Sequence, residues 1–92
     1  MAGMLYIADP DPLQDARDLE GLTLFFHARS GTTHLLAPPA PQILDALAGR
    51  AGDVADIVAR ISERFELDSE DAEAVIAARL AELEAAGLVW RL

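Results

Sequence analysis

The chain has 92 residues and contains neither cysteine nor lysine. The lack of cysteine removes disulfides, thiolate metal sites and cysteine nucleophiles together. A stable fold must then rest on the hydrophobic core, and a reducing compartment, the cytoplasm, is expected. The lack of lysine leaves seven arginines against sixteen acids and a net charge of −9. A duplex-binding domain needs a basic face to displace counterions from phosphates, and anionic membrane headgroups repel a protein of this charge. Neither nucleic acid nor membrane is therefore an expected partner; a neutral or basic one is. Long apolar runs are missing too. None approaches the roughly 20 residues that cross a bilayer. The opening Met1-Ala-Gly-Met-Leu-Tyr-Ile-Ala has neither the basic region nor the apolar core of a secretion signal.

What is present is a chain more than half apolar, long enough for one small domain over residues 1–92. Residues 1–12 are its looser segment: a short apolar run, Met4 to Ile7, that can form a strand, broken by Asp9-Pro10-Asp11-Pro12. A weak strand is expected over Leu13 to Leu19 and a strong one over Leu22 to Ala28. Arg29-Ser30-Gly31 reads as a three-residue hairpin loop with Gly31 at the positive-φ position. Thr32 to Leu36 then returns antiparallel. In that register Phe26 faces His34 and Leu24 faces Leu36, while Phe25 and Leu35 share the other side of the ribbon. Apolar groups lie on both sides, so periodicity does not say which side meets the helices.

Pro38, Pro39 and Pro41 end the sheet and suit a first helical turn. Ile43, Leu44 and Leu47 give a short helix stopping near Gly49. Asp53 is an N-cap with Asp56 three residues on, and Val54, Ile57, Val58, Ile61 and Phe65 form a helical stripe. Acids from Asp68 to Asp71 mark a third helix start. Its apolar positions are Ala72, Val75, Ile76, Leu80 and Leu83, and Gly87 with Leu88 closes it. The tail, Leu88 to Leu92, docks on the core or pairs as a last strand. Strands followed by three helices make an α+β layout, a small three-stranded antiparallel sheet with helices on one side.

Chemistry is sparse. His27 and His34 fall on opposite sides of the ribbon in this register, so they do not converge on a metal ion, and zinc-site spacing is absent. The carboxylates sit at helix starts or on outward faces, with no shielded pair for acid–base work. Ser30 and Ser62 have no base legible in the sequence. No glycine-rich phosphate loop follows a strand, so no cofactor is expected. The second and third helices resemble a helix-turn-helix, but Asp68, Glu70, Asp71 and Glu73 would meet phosphates with the wrong sign. The one feature left is an open strand edge. Thr32-Thr33-His34-Leu35-Leu36 can accept an extended peptide as a further strand, with Val75, Arg79 and Glu82 of the third helix as the opposite wall. The alternatives are a winged-helix regulator, or a homodimer in which two such edges pair.

The run Leu22-Thr-Leu-Phe-Phe-His-Ala-Arg-Ser-Gly-Thr-Thr-His-Leu-Leu, a proline, and then Ile43-Leu44 on a helix resembles the PqqD-like peptide chaperones. These include the pyrroloquinoline quinone biosynthesis chaperone and the precursor-peptide recognition domains of ribosomally made, modified peptides. The subgroup found beside a protein related to HPr kinase looks closest. The resemblance spans about Leu13 to Val89 and implies a winged-helix-like fold without catalytic activity. It implies a docking strand at Thr32, Thr33, His34, Leu35 and Leu36, and a helical wall at Val75, Ile76 and Arg79. The implied partners are a precursor peptide and a modifying enzyme encoded nearby. The proline-rich Ala37-Pro38-Pro39-Ala40-Pro41 departs from the usual link.

Overall fold

A computed structural model describes residues 4–10, 13, 15–64 and 71–92. The element order is β1 (Tyr6–Ala8), β2 (Arg17–Leu19), β3 (Leu22–His27), β4 (Thr32–Leu36), α1 (Ala40–Ala46), α2 (Val54–Ser62), α3 (Ala72–Ala85) and β5 (Val89–Arg91). β2, β3 and β4 form a three-stranded antiparallel sheet in that order. Three helices follow it, so the α+β class expected from the sequence holds. The tail fulfils both of its readings: Leu88 and Val89 are buried in the core, and β5 pairs antiparallel with β1 in a separate two-stranded sheet.

The hairpin register differs from the sequence reading by one residue. His27 pairs with Thr32, Phe25 with His34, and Leu24 with Leu35, leaving a four-residue loop at 28–31. Gly31 takes φ +69° and donates its N–H to the His27 carbonyl at 2.8 Å. Because side chains alternate sides, a slip of one residue exchanges which cross-strand partners share a face. Phe25 is 3% exposed and belongs to the core, whereas Phe26 is 61% exposed. Phe25 lies on the face opposite Phe26 in either register, and its burial contributes about 1.5–3 kcal/mol; what the register decides is that His34 and Leu36, and not Leu35, share its side.

The core itself is helical. Ile43, Leu44 and Leu47 from around α1, Ile57 and Ile61 from α2, and Ile76, Leu80 and Leu83 from α3 enclose Phe25, Ala8 and Val89. Asp53 caps α2 in a reciprocal box: its Oδ1 accepts from the Asp56 N–H at 2.8 Å, and Asp56 Oδ2 accepts from the Asp53 N–H at 3.1 Å. Phe65, expected at the end of that helix, and the acids Asp68 and Glu70 lie outside the described residues. At the end of α3, Gly87 takes φ +80° and Leu88 donates its N–H to the Leu83 carbonyl at 2.9 Å. Leu88 and Leu83 are both buried. This is the left-handed closure that the glycine allows.

β1 is held on both sides. β5 covers one side, and on the other Tyr6 and Gly52 exchange both backbone bonds at 2.8 and 3.0 Å. Ala8 donates to the Leu47 carbonyl and accepts from Gly49. Arg60 secures that same loop, donating to the carbonyls of Ala46, Arg50 and Ala51. No helix among the described residues is long and apolar enough to cross a membrane.

The burial difference yields a direct test. Phe25→Ala is expected to cost about 3–5 kcal/mol in urea unfolding, as for other buried phenylalanines. Phe26→Ala should stay within about 0.5 kcal/mol of the native protein, as surface changes do. Equal losses would contradict the inward placement of Phe25 and the outward placement of Phe26.

Candidate functional site

β4 has β3 on one side, and among the described residues no strand pairs with the other. In an antiparallel pair alternate residues turn their N–H and C=O away from the partner, so this edge carries free backbone groups. The proline-rich segment after Leu36 ends the strand at five residues, and a short edge is one of the ways a sheet limits uncontrolled pairing. The side chains divide by register. Thr33 and Leu35 point to the outer face with Leu24 and Phe26, and Leu35 is 53% exposed. His34 and Leu36 turn inward, both partly buried. His34 stacks on Phe25 with ring centroids 5.4 Å apart. Its contribution to a docked strand would come from the backbone, not the ring.

On α3 the expected wall residues separate. Val75 is 44% exposed, and together with Asp71, Ala74, Ala78 and Arg79 it lines a shallow cleft of about 340 Å³. Arg79 is held within that surface by Glu82, whose carboxylate accepts from it at 3.0 and 3.1 Å. Ile76 is different. It is 1% exposed and packs in the core with Leu80 and Leu83, so its side chain supports the helix from beneath and offers nothing to a ligand. The i, i+4, i+7 stripe takes Ile76 inward, and that rotation leaves Val75 and Arg79 outside. Asp71, Ala74 and Ala78 were not singled out from sequence; their spacing around Val75 on one helical face was the available signal. Among the described residues no hydrogen bond or ion pair links β4 to α3.

A second cluster sits at the hairpin end. The one-residue change of register places His27 and His34 on the same side of the sheet, which corrects their expected divergence; their ring centroids lie 6.2 Å apart. His27, 5% exposed, contacts Asp9 Oδ2 through Nε2 at 2.9 Å and Ser30 Oγ through Nδ1 at 2.7 Å. Ser30 Oγ lies 2.5 Å from Thr32 Oγ1, which lies 2.7 Å from His34 Nε2. Arg29 pairs with the other oxygen of Asp9 at 3.0 Å and lies over the Trp90 ring at 4.6 Å. Asp9 thus joins the end of β1 to the hairpin loop. Although the two imidazoles approach, no group of three or more potential metal ligands occurs among the described residues. Partial burial, and then the neighbouring His27 ring, push the His34 imidazole below its ordinary value.

Two surface features therefore stand out in this small α+β domain, a β4 edge that pairs with no further strand among the described residues and a shallow, largely apolar cleft on α3. The chain belongs to the PqqD family: the family model described as coenzyme PQQ synthesis protein D matches residues 23–89, which run from β3 to the start of β5. No curated protein and no solved structure matches the chain.

The lowered His34 value has a consequence for stability. The unfolded chain takes a proton at this residue near 6.5, while the folded chain resists it until lower pH. The unfolded state then binds more protons, so stability falls as pH drops through and below 6.5, until the folded value is passed. Urea midpoints measured from pH 7.5 to 5 should decline less in His34→Phe than in the native protein; identical slopes would contradict this.

Proposed function

We propose that this protein is a non-catalytic chaperone that captures an extended segment of a precursor peptide on β4 and presents it to a modifying enzyme encoded nearby. Membership of the PqqD family supports the class. The observation that carries the mode of capture is the position of β4 at the sheet edge with Thr32, Thr33 and Leu35 exposed. Strand addition uses backbone groups for affinity and alternate side chains for selection. About four backbone bonds at about 0.5–1.5 kcal/mol each, with one or two buried side chains, reach the micromolar range near about −8 kcal/mol. Side chains of the docked segment on the α3 side would meet Val75, Ala78 and Arg79; those on the outer side would lie beside Leu35. Ile76 stays in the core beneath this wall.

The net charge of −9 favours a neutral or basic peptide and disfavours phosphate backbones. We place the protein in the cytoplasm as one domain, in the subgroup that accompanies an HPr-kinase-related protein. Neighbouring genes test that placement: a short open reading frame beside a peptide-modifying enzyme is expected.

The binding test uses the peptide encoded by that reading frame, titrated into isotopically labelled protein. Amide shifts are expected along Thr32 to Leu36 and at Val75 and Arg79. Leu35→Pro removes a backbone donor from the edge strand and should weaken binding at least tenfold while the far-ultraviolet helix signal persists. Unaltered affinity in that variant would overturn strand addition.

A further inference from the structure

The contacts from Asp9 to His34 form one series whose direction follows from Asp9; its side branches are Arg29 on the other Asp9 oxygen at 3.0 Å and a longer contact from the Ser30 hydroxyl to the His27 carbonyl at 3.4 Å. Asp9 as a carboxylate only accepts, so the 2.9 Å contact requires a proton on His27 Nε2. A neutral His27 then has a bare Nδ1, which must accept the Ser30 hydroxyl proton at 2.7 Å. Ser30 has no second proton to give, so the 2.5 Å contact uses the Thr32 proton. Thr32 is then an acceptor toward His34, and the 2.7 Å contact fixes the His34 proton on Nε2. The charge on Asp9 thus sets the tautomer of a ring four contacts away.

We propose that His27, Ser30, Thr32 and His34 act as a one-proton relay that couples the first residues of β4 to Asp9. One added proton reverses the series. His27, now charged beside Asp9, donates through Nδ1 to Ser30; Ser30 donates to Thr32; Thr32 donates to His34 Nε2, whose proton has moved to Nδ1. Each hydroxyl gives one proton and receives one, so every bond of the series is kept, the long 3.4 Å contact from Ser30 to the His27 carbonyl alone is given up, and β4 keeps its start. A second proton has no such place. His34 would carry protons on both nitrogens, Thr32 would turn its hydroxyl out of the series, and two imidazoliums would face each other across the 6.2 Å between the rings. The charged groups facing the pair are Asp9, at the end of β1, and Arg29, which shares that carboxylate from the loop and so weakens its hold on a second positive charge. The lowered His34 value agrees with this order of events. The second proton therefore loosens the Thr32 end of β4.

The consequence for peptide capture rests on reading β4 as the docking strand; the relay does not, and its test uses no peptide. Ring-nitrogen NMR of labelled full-length protein follows both histidines from pH 8 to 4.5. During uptake of the first proton His34 should change from the Nε2–H to the Nδ1–H tautomer while His27 becomes charged. Thr32→Val breaks the series and should abolish that change, leaving His34 to titrate by itself; Thr32→Ser keeps a hydroxyl and should restore it. Amide protection at residues 32–36, the intrinsic exchange rate at each pH divided by the observed rate, should fall at least tenfold in the range where the second proton binds. An unchanged His34 tautomer in the native protein, a change that persists in Thr32→Val, or constant protection across the second step would each overturn the proposal.

Discussion

Burial of Phe25 is the contact on which the arrangement of this protein turns. The β3–β4 ribbon has apolar residues on both sides, so two registers differing by one residue look equally apolar along the chain. The four-residue loop, closed by the Gly31 N–H on the His27 carbonyl, selects one of them and pairs Phe25 with His34 on the inner face. Everything about the edge follows from that pairing. Leu35 and Thr33 face outward because His34 and Leu36 face inward, and the two histidines meet because both lie on the side of Phe25. A strand has no intermediate choice, since its side chains have a period of two.

The second constraint is the way the chain ends are used. β1 and β5 form their own small sheet, and the 47–52 segment closes β1 on its other side. This leaves neither terminal strand to cover β4. Asp9, at the end of β1, instead reaches the hairpin loop through His27 and Arg29. The loop is thereby held at its tip, with Arg29 resting on Trp90, while the neighbouring edge pairs with no further strand among the described residues. An exposed edge is a hazard for a free-standing sheet. Here the strand is only five residues long, and the net charge of −9 disfavours the approach of a second copy. The same features suit the proposed capture of a neutral or basic peptide.

The proposed docking surface and the proposed proton relay share Thr32 and His34 but would use different atoms. Docking would draw on backbone groups along the edge of the sheet; the relay would use the hydroxyl and the ring on the inner face. One residue can serve both because a strand presents its backbone in the plane of the sheet and its side chain perpendicular to it. α3 divides its labour in a similar way. Ile76, Leu80 and Leu83 hold the helix to the core, and Val75, Ala78 and Arg79, on another face, remain at the surface.

Much of this was legible from the chain alone. The order of strands and helices, the Asp53–Asp56 box and the Gly87–Leu88 closure all depend on residues within a few positions of one another, and such local signals survive in a one-dimensional reading. The tail was readable only as one of two possibilities, because its partner strand lies more than eighty positions away. The resemblance to PqqD-like chaperones pointed to the family that the family model bears out, but it grouped Ile76 with Val75 and Arg79, since a list of neighbouring residues does not say how a helix is rotated. The Asp9–His27 contact had no local signal at all. Local sequence determined which segments become helix, strand or cap, and the composition determined the charge and the dependence on an apolar core. Only the packed structure decided the hairpin register, the sheet edge left open and the meeting of the two histidines, because each is settled by which of several equally apolar faces the distant core takes in.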